Sequence, residues 1–176
     1  RRHESLRTTF TVSDGIPGQI ILTETAADID IIDLSGYDAG LRETELRRLS
    51  EAEAHEPFDL ETGPLFRSRL IQVASDDHVI LFTMHHIISD GWSIGVLIRE
   101  FSALYESFRK GLPADLPELP VQYADYAHWQ RQWLKDDVIE KQISFWKQAI
   151  GVNPEPLHLP LDHSRPAVQT FNGRTL

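Results

Sequence analysis

The sequence predicts a single mixed α/β (α+β) domain, on three observations. Short runs that alternate apolar and polar residues lie in pairs around turn-forming clusters, as hairpins do. Other stretches repeat apolar residues at three- and four-residue intervals, the period of a helix buried along one side. The 176 residues, 41% of them hydrophobic, suffice for one substantial core without covalent staples.

Leu6 to Val12 and Gln19 to Glu24 read as the strands of a first hairpin, separated by Ser13-Asp14-Gly15-Ile16-Pro17-Gly18. Ile29 to Leu34 is a third short apolar run. From Ala39 to about Ala54, Leu41, Leu46 and Leu49 stand among many charges, which predicts a surface helix with a narrow buried stripe. Phe58 to Pro64 connects it to a second hairpin, Phe66 to Val73 with His78 to Met84, turned at Ser75-Asp76-Asp77. Ile94, Leu97, Ile98, Phe101, Leu104, Tyr105 and Phe108 then define the clearest helix, capped by Asp90 or Ser93 and ended by Gly111 and Pro113. Pro113, Pro117 and Pro120 mark an extended linker. Tyr123 to Leu134 and Ile139 to Ile150 carry helical spacing, with Trp129, Trp133 and Trp146 expected to pack inward. Beyond Gly151, prolines at 154, 156, 160 and 166 exclude regular helix, so an extended strap is expected that ends as a new strand begins.

Composition removes several function classes. Asp and Glu total 27 against 17 Lys and Arg, a net charge of -10 with no basic stripe, so nucleic acid is not an expected partner. Without cysteine there is no disulfide, thiolate metal site or cysteine nucleophile, which is compatible with a reducing, cytoplasmic setting. No apolar run approaches the roughly 20 residues of a membrane span, and the first residues lack the order of a signal peptide. His3, His55, His78, His128, His158 and His163 are scattered without metal-site spacing, so no metal is expected. The chain opens at Arg1-Arg2-His3, without methionine and directly before a strand-like segment, and reads as part of something larger.

The strongest chemical signal is His85-His86-Ile87-Ile88-Ser89-Asp90-Gly91, between the second hairpin and the clearest helix. Histidine is the side chain whose ordinary pKa lies nearest neutrality, so a pair at an element boundary suits proton transfer. Asp90 supplies a charge anchor and Gly91 a tight turn. Adjacent residues on extended backbone point to opposite faces, so His85 and His86 are not expected to reach one substrate atom together.

Several segments, in order, resemble the condensation domains of nonribosomal peptide synthetases. Arg2-His3-Glu4-Ser5-Leu6-Arg7-Thr8-Thr9-Phe10 looks like that family's arginine-containing second motif, and Phe58-Asp59-Leu60-Glu61-Thr62-Gly63-Pro64-Leu65-Phe66-Arg67 like its Phe-Asp-Leu connector. Met84 to Ser93 matches the His-His-x-x-x-Asp-Gly signature. Tyr123 to Trp129, with Trp133, is similar to the fourth motif, and Leu159 to Pro166 to the strap after it. The resemblance covers essentially the whole chain, yet implies less than half of a family member: residues 1–176 as the N-terminal lobe, without its start and without the C-terminal lobe.

The resemblance implies a chloramphenicol-acetyltransferase-like lobe, a mixed sheet covered by helices, with the histidine loop in a tunnel between two lobes. It implies amide-bond formation, a donor acyl or peptidyl thioester passing to the amine of an aminoacyl acceptor. Both substrates ride on phosphopantetheine arms of peptidyl carrier domains, and no cofactor is bound directly. An adjacent adenylation domain and the C-terminal lobe are implied partners, and the lobe alone is expected to be inactive.

By resemblance His86 is the reacting histidine, as base, hydrogen-bonding partner of the amine or stabiliser of the tetrahedral intermediate. His85 is assigned a supporting hydrogen-bonding role. Asp90 is expected to hold the loop through an ion pair with Arg2 or Arg7. Gly91 is expected to take a positive φ or to bring a backbone N–H to the developing oxyanion. Trp92 either lines the tunnel or staples the helix start, and the aromatic cluster of Tyr123, Trp129 and Trp133 is read as packing. An epimerization domain shares the signature, but Gly91-Trp92-Ser93-Ile94 favours condensation, and a heterocyclization domain is excluded because it would replace the first histidines by aspartate. A stand-alone coenzyme A-dependent acyltransferase and a non-catalytic recruitment platform are the alternative readings.

Overall fold

A computed structural model describes residues 2–23, 29–151, 153–155 and 157–170. It divides into two compact units, Arg1–Arg131 and Gln132–Leu176.

In the first unit, strand β1 (Thr8–Ser13) pairs antiparallel with β2 (Ile16–Ile21), from Thr8 opposite Ile21 to Ser13 opposite Ile16. The expected loop of six residues contracts to Asp14-Gly15, with φ of 52° and 77°. A two-residue hairpin turn requires both central residues at positive φ, which Asp-Gly supplies at low steric cost. Pro17 therefore lies inside a strand, where a two-stranded sheet leaves outer N–H positions unpaired. The strand expected from Leu6 begins at Thr8 instead. Glu4–Arg7 form a single 3-10 turn, closed by Leu6 N donating to His3 O at 3.3 Å and Thr8 Oγ1 to Glu4 O at 2.8 Å. The second strand ends at Ile21, and its expected last residue, Glu24, lies outside the described residues.

The main sheet orders β3 (Asp30–Asp33), β4 (Phe66–Gln72) and β5 (His78–Met84), with β3 parallel to β4 and β4 antiparallel to β5. The sheet is thus mixed, as the resemblance implies. A parallel pair needs a long crossover, here carried by helix α1 (Ala39–His55), whose N-cap Asp38 accepts from Leu41 N at 3.0 Å. Leu34, Leu49, Ile71 and Val73 form the buried core, with Leu46, Ile32, Val79 and Leu81 against it. Of the expected stripe on α1, Leu46 and Leu49 pack and Leu41 is 57% exposed. It falls in the first turn, before the helix meets the sheet.

Side chains alternate across β4, so Arg67, Arg69 and Ile71 share a face and Phe66, Ser68 and Leu70 the other. On the first face, the carboxylate of Glu53 from α1 is only 4% exposed and meets two cations, Arg67 Nε at 2.7 Å and Arg69 Nη1 at 3.3 Å. On the opposite face Phe82 stacks on Phe66 and takes an edge contact from Phe101 of helix α2 (Gly91–Arg109), centroids 5.3 Å apart. Helix α1 therefore packs on one side of the mixed sheet, and α2 meets the other through Phe101.

The connector between α1 and β4 is a structured turn. Asp59 Oδ1 accepts from Glu61 N at 2.8 Å and Thr62 N at 3.1 Å, and Phe10 N of β1 donates to Leu60 O at 2.7 Å. Gly63, at φ 64°, lies so near β1 that a Cβ would stand 3.0 Å from Thr9 Cγ2, which calls for glycine at this position.

Helix α2 ends where expected, with Gly111 N donating to Phe108 O and Leu112 N to Ser107 O. Helix α3 spans Tyr123–Trp133, and α4 runs Asp136–Ile150, starting ahead of the expected Ile139. Trp129, Trp133 and Trp146 are exposed rather than packed inward. Helical spacing places them on apolar stripes, but spacing does not say what covers a stripe. Past Gly151 the described residues carry no regular helix or strand, and the strand expected at the end lies outside them.

Burial opposes the charge on Glu53, but hydrogen bonds and charge attraction from Arg67, Thr83 and Arg69 outweigh it and hold its pKa below the ordinary carboxylate value. The unfolded chain then binds the proton more readily. Stability from Glu53 is complete above its unfolded pKa of about 4.3 and drains as pH falls through the lower native value. Glu53→Gln should therefore give a shallower loss of stability on acidification than the wild type, measured by urea unfolding from pH 7 down to pH 3.

Candidate active site

Strand β5 delivers the histidine signature at the edge of the main sheet. The pairing of β4 with β5 stops at Phe66 opposite Met84, and His85 N makes one further bond, to Leu65 O at 3.0 Å. Residues His86 to Ile88 then form a turn. His85 closes it from inside: its carbonyl accepts from Ile88 N and Ser89 Oγ, both at 3.1 Å, and its Nδ1 lies 3.0 Å from Ile87 N. The bond from Ile87 N–H makes Nδ1 the acceptor, so the neutral ring carries its proton on Nε2. The ring also sets its edge against Phe58, with centroids 5.8 Å apart at 90°.

His86 faces away from this brace. It is exposed, makes no hydrogen bond among the described residues, and lines a cavity of about 390 Å3. Thr8, Phe10 and Gln19 of the first hairpin form one wall, and Asp90, Trp92 and Tyr123 contribute to the others. The two adjacent histidines thus have different surroundings, His85 bonded within the turn and His86 on the cavity; His86 stands in the turn rather than on extended backbone. Gln19 and Phe10 carried no sequence signal of this role, and Tyr123 read only as packing, because the cavity joins the hairpin and the start of α3, which lie far apart in sequence.

Asp90 corrects the expected ion pair. Its carboxylate caps α2, accepting from Ser93 N at 2.8 Å while Ser93 Oγ accepts from Asp90 N at 2.7 Å. Hydrogen bonds from Ser93 depress its pKa most, with smaller contributions from Trp92 N–H and the nearby His86. Arg2 instead pairs with Glu100 at 3.1 Å and donates to Pro117 O at 2.5 Å. Glu100 lies ten residues beyond Asp90, roughly 15 Å along a helix axis, so a guanidinium held there cannot serve the cap. Arg7 donates to Leu22 O and pairs with Glu4 at 3.2 Å, which commits it to the hairpin's base.

Gly91 and Trp92 also depart from part of their expected roles. Gly91 is the first residue of α2 and has no positive φ, and a Cβ there would meet nothing within 4 Å. Trp92 is 84% exposed, so it staples nothing among the described residues and lines the cavity instead. Glu100 is itself shared, since His3 Nε2 lies 2.6 Å from the same oxygen that Arg2 holds. Gln122 links onward, donating to Arg2 O at 3.0 Å and accepting from Glu4 N at 3.1 Å. No cluster of metal-ligating side chains exists among the described residues, and none of their helices is long and apolar enough to cross a membrane.

A mixed sheet between two helices, with a histidine turn opening into a cavity beside the N-terminus of one of them, defines a chloramphenicol-acetyltransferase-like lobe. Solved structures share it: the X-domain from teicoplanin biosynthesis superposes with a TM-score of 0.77 at 30% identity, over 95% of this chain and 36% of that one. The chain belongs to the Condensation domain family, whose profile matches residues 1–176. It is 45% identical over 177 residues to malpibaldin synthetase of Mortierella alpina, covering 99% of this chain and 3% of that protein. It is 39% identical to phosphinothricin tripeptide synthetase PhsC of Streptomyces viridochromogenes, of which it spans 16%.

The cap geometry separates two roles for Asp90. Asparagine retains the side-chain oxygen that accepts from Ser93 N, whereas alanine removes it. Asp90→Ala should lower the melting temperature and Asp90→Asn should leave it nearly unchanged; equal losses from both would show that the charge matters more than the cap.

Proposed function

We propose that this chain supplies the histidine-bearing lobe for amide-bond formation in nonribosomal peptide synthesis. The observation that carries the reading is His86, whose imidazole is exposed, free of hydrogen bonds among the described residues and set in the wall of a cavity. Membership of the Condensation domain family and the name of one relative, a tripeptide synthetase, supply the reaction class.

In the proposed reaction the acceptor amine attacks the donor thioester carbonyl, a C–N bond forms, and the C–S bond breaks. His86 takes a proton from the attacking nitrogen and returns it to the departing sulfur, so the products are an amide and a free thiol. The N-terminus of α2 lies beside this turn; the Asp90 cap takes up the N–H groups of Trp92 and Ser93, and that of Gly91 is the one that favours the negative charge developing on the carbonyl oxygen. The substrates arrive on phosphopantetheine arms of donor and acceptor carrier domains, with an adenylation domain as the source of activated residues. A thioester is already activated, so holding two tethered substrates together supplies much of the rate.

With the complete condensation domain and loaded carriers, His86→Ala should slow dipeptidyl transfer by roughly 10²- to 10⁴-fold. An unchanged rate would falsify the catalytic role. The 176 residues alone should not condense the same substrates.

Gly91→Ala offers an independent check of what approaches α2. A methyl group there meets open space, so the melting temperature should not fall. Transfer should nonetheless slow if substrate uses that space, and full activity would show that it does not.

A further inference from the structure

The His86 side chain makes no hydrogen bond among the described residues, so its position is set by the backbone of its turn. The contacts lead through His85 to Phe58 and from there to Arg67. Arg67 Nε donates to Glu53 Oε1 at 2.7 Å, Nη2 to the carbonyls of Glu53 at 3.2 Å and Glu56 at 2.9 Å, and Nη1 to Pro57 O at 3.3 Å. One guanidinium thus binds the end of α1 and the chain that leaves it. Its flat face lies over Phe58, with Cζ 3.9 Å from the ring centroid. Phe58 in turn meets the edge of His85.

We propose that Arg67 and Phe58 are positioning residues for His86. Arg67 fixes the segment that carries Phe58, and Phe58 holds the His85 ring where its Nδ1 accepts from Ile87 N. That bond and the two to the His85 carbonyl set the backbone on both sides of His86. The proposal rests on the assignment of His86 as the reacting group only for its kinetic consequence; the brace itself is independent of the reaction.

The arrangement also separates this role from simple fold stabilisation. Glu53 has a second cation in Arg69, so replacing Arg67 does not strip the buried carboxylate of every partner. Arg67→Lys keeps a positive charge for Glu53 but loses the planar fork that reaches three carbonyls, and the face that covers Phe58. Phe58→Leu keeps an apolar side chain but removes the ring, whereas Phe58→Tyr keeps the ring.

The experiment uses the complete condensation domain with loaded carriers, and the same domain labelled with nitrogen-15 histidine for NMR. Wild type should show His85 as the Nε2–H tautomer and a slowly exchanging Ile87 amide. Phe58→Leu and Arg67→Lys should mix the His85 tautomers and speed Ile87 exchange about tenfold or more. They should lower kcat on the order of 10- to 100-fold with KM for the acceptor carrier little changed, since the loss is one of alignment. Phe58→Tyr should restore both. A wild-type His85 spectrum and Ile87 exchange rate in both damaged variants would overturn the brace, whatever reaction the domain catalyses. Altered spectra with unchanged kcat, in a domain that His86→Ala inactivates, would overturn the positioning role. If His86→Ala were fully active, the proposed reaction chemistry would fail while the spectroscopic result still judged the brace.

Discussion

A single carboxylate, Glu53, sets much of the geometry of the first unit. Apolar contacts between α1 and the main sheet are non-directional, and Leu46 and Leu49 alone would permit the helix to slide or rotate while burying similar area. An ionised carboxylate at 4% exposure permits no such freedom, because losing its cations would leave a charge buried and uncompensated. Its two arginines sit two residues apart on one strand and act in different directions. Arg69 also lies 3.1 Å from Asp30 at the start of β3, and Arg67 reaches into the connector after α1. Helix rotation, the parallel strand pair and the start of the connector thus all refer to one point.

Helix α2 plays a comparable part on the other face. Its N-terminus, closed by Asp90 and Ser93, forms part of the cavity wall beside His86. Ten residues on, Glu100 gathers Arg2 and His3, and Gln122 fastens the same segment to the start of α3. The hairpin that forms the opposite wall therefore enters from a segment fastened to the helix that follows the signature. Both sides of the cavity are referenced to α2, with no covalent cross-link.

What was legible in the sequence follows from how local each signal is. The β5 boundaries, the start of α1 at Ala39 and the end of α2 near Gly111 are written in an apolar run after a turn cluster, a helical stripe among charges and a helix-ending glycine, all within a few positions. The signature and its flanking motifs were likewise readable. The ion pairs were not. Glu53 looked like one more solvated charge on a charged helix, and Arg2 meets Glu100 across 98 positions. Asp90 was expected both as a candidate cap of α2 and as the partner of an arginine; the cap formed, with Ser93, and the arginines are held elsewhere. The tryptophans show the converse limit, since a stripe records a tendency to be covered and not the element that covers it.

The cap on α2 gives the signature a metric character. His85 ends the reach of β5, Asp90 begins α2, and both ends are fixed by bonds that do not involve the side chains of Ile87 or Ile88. Between them the turn is held through the backbone N–H groups of Ile87 and Ile88 and the hydroxyl of Ser89. The number of intervening residues is consequently constrained far more tightly than their identity. Substitution at positions 87 and 88 changes what the cavity wall is made of, but inserting or deleting one residue would change where His86 stands. In this loop, drift by replacement and drift by length carry quite different risks.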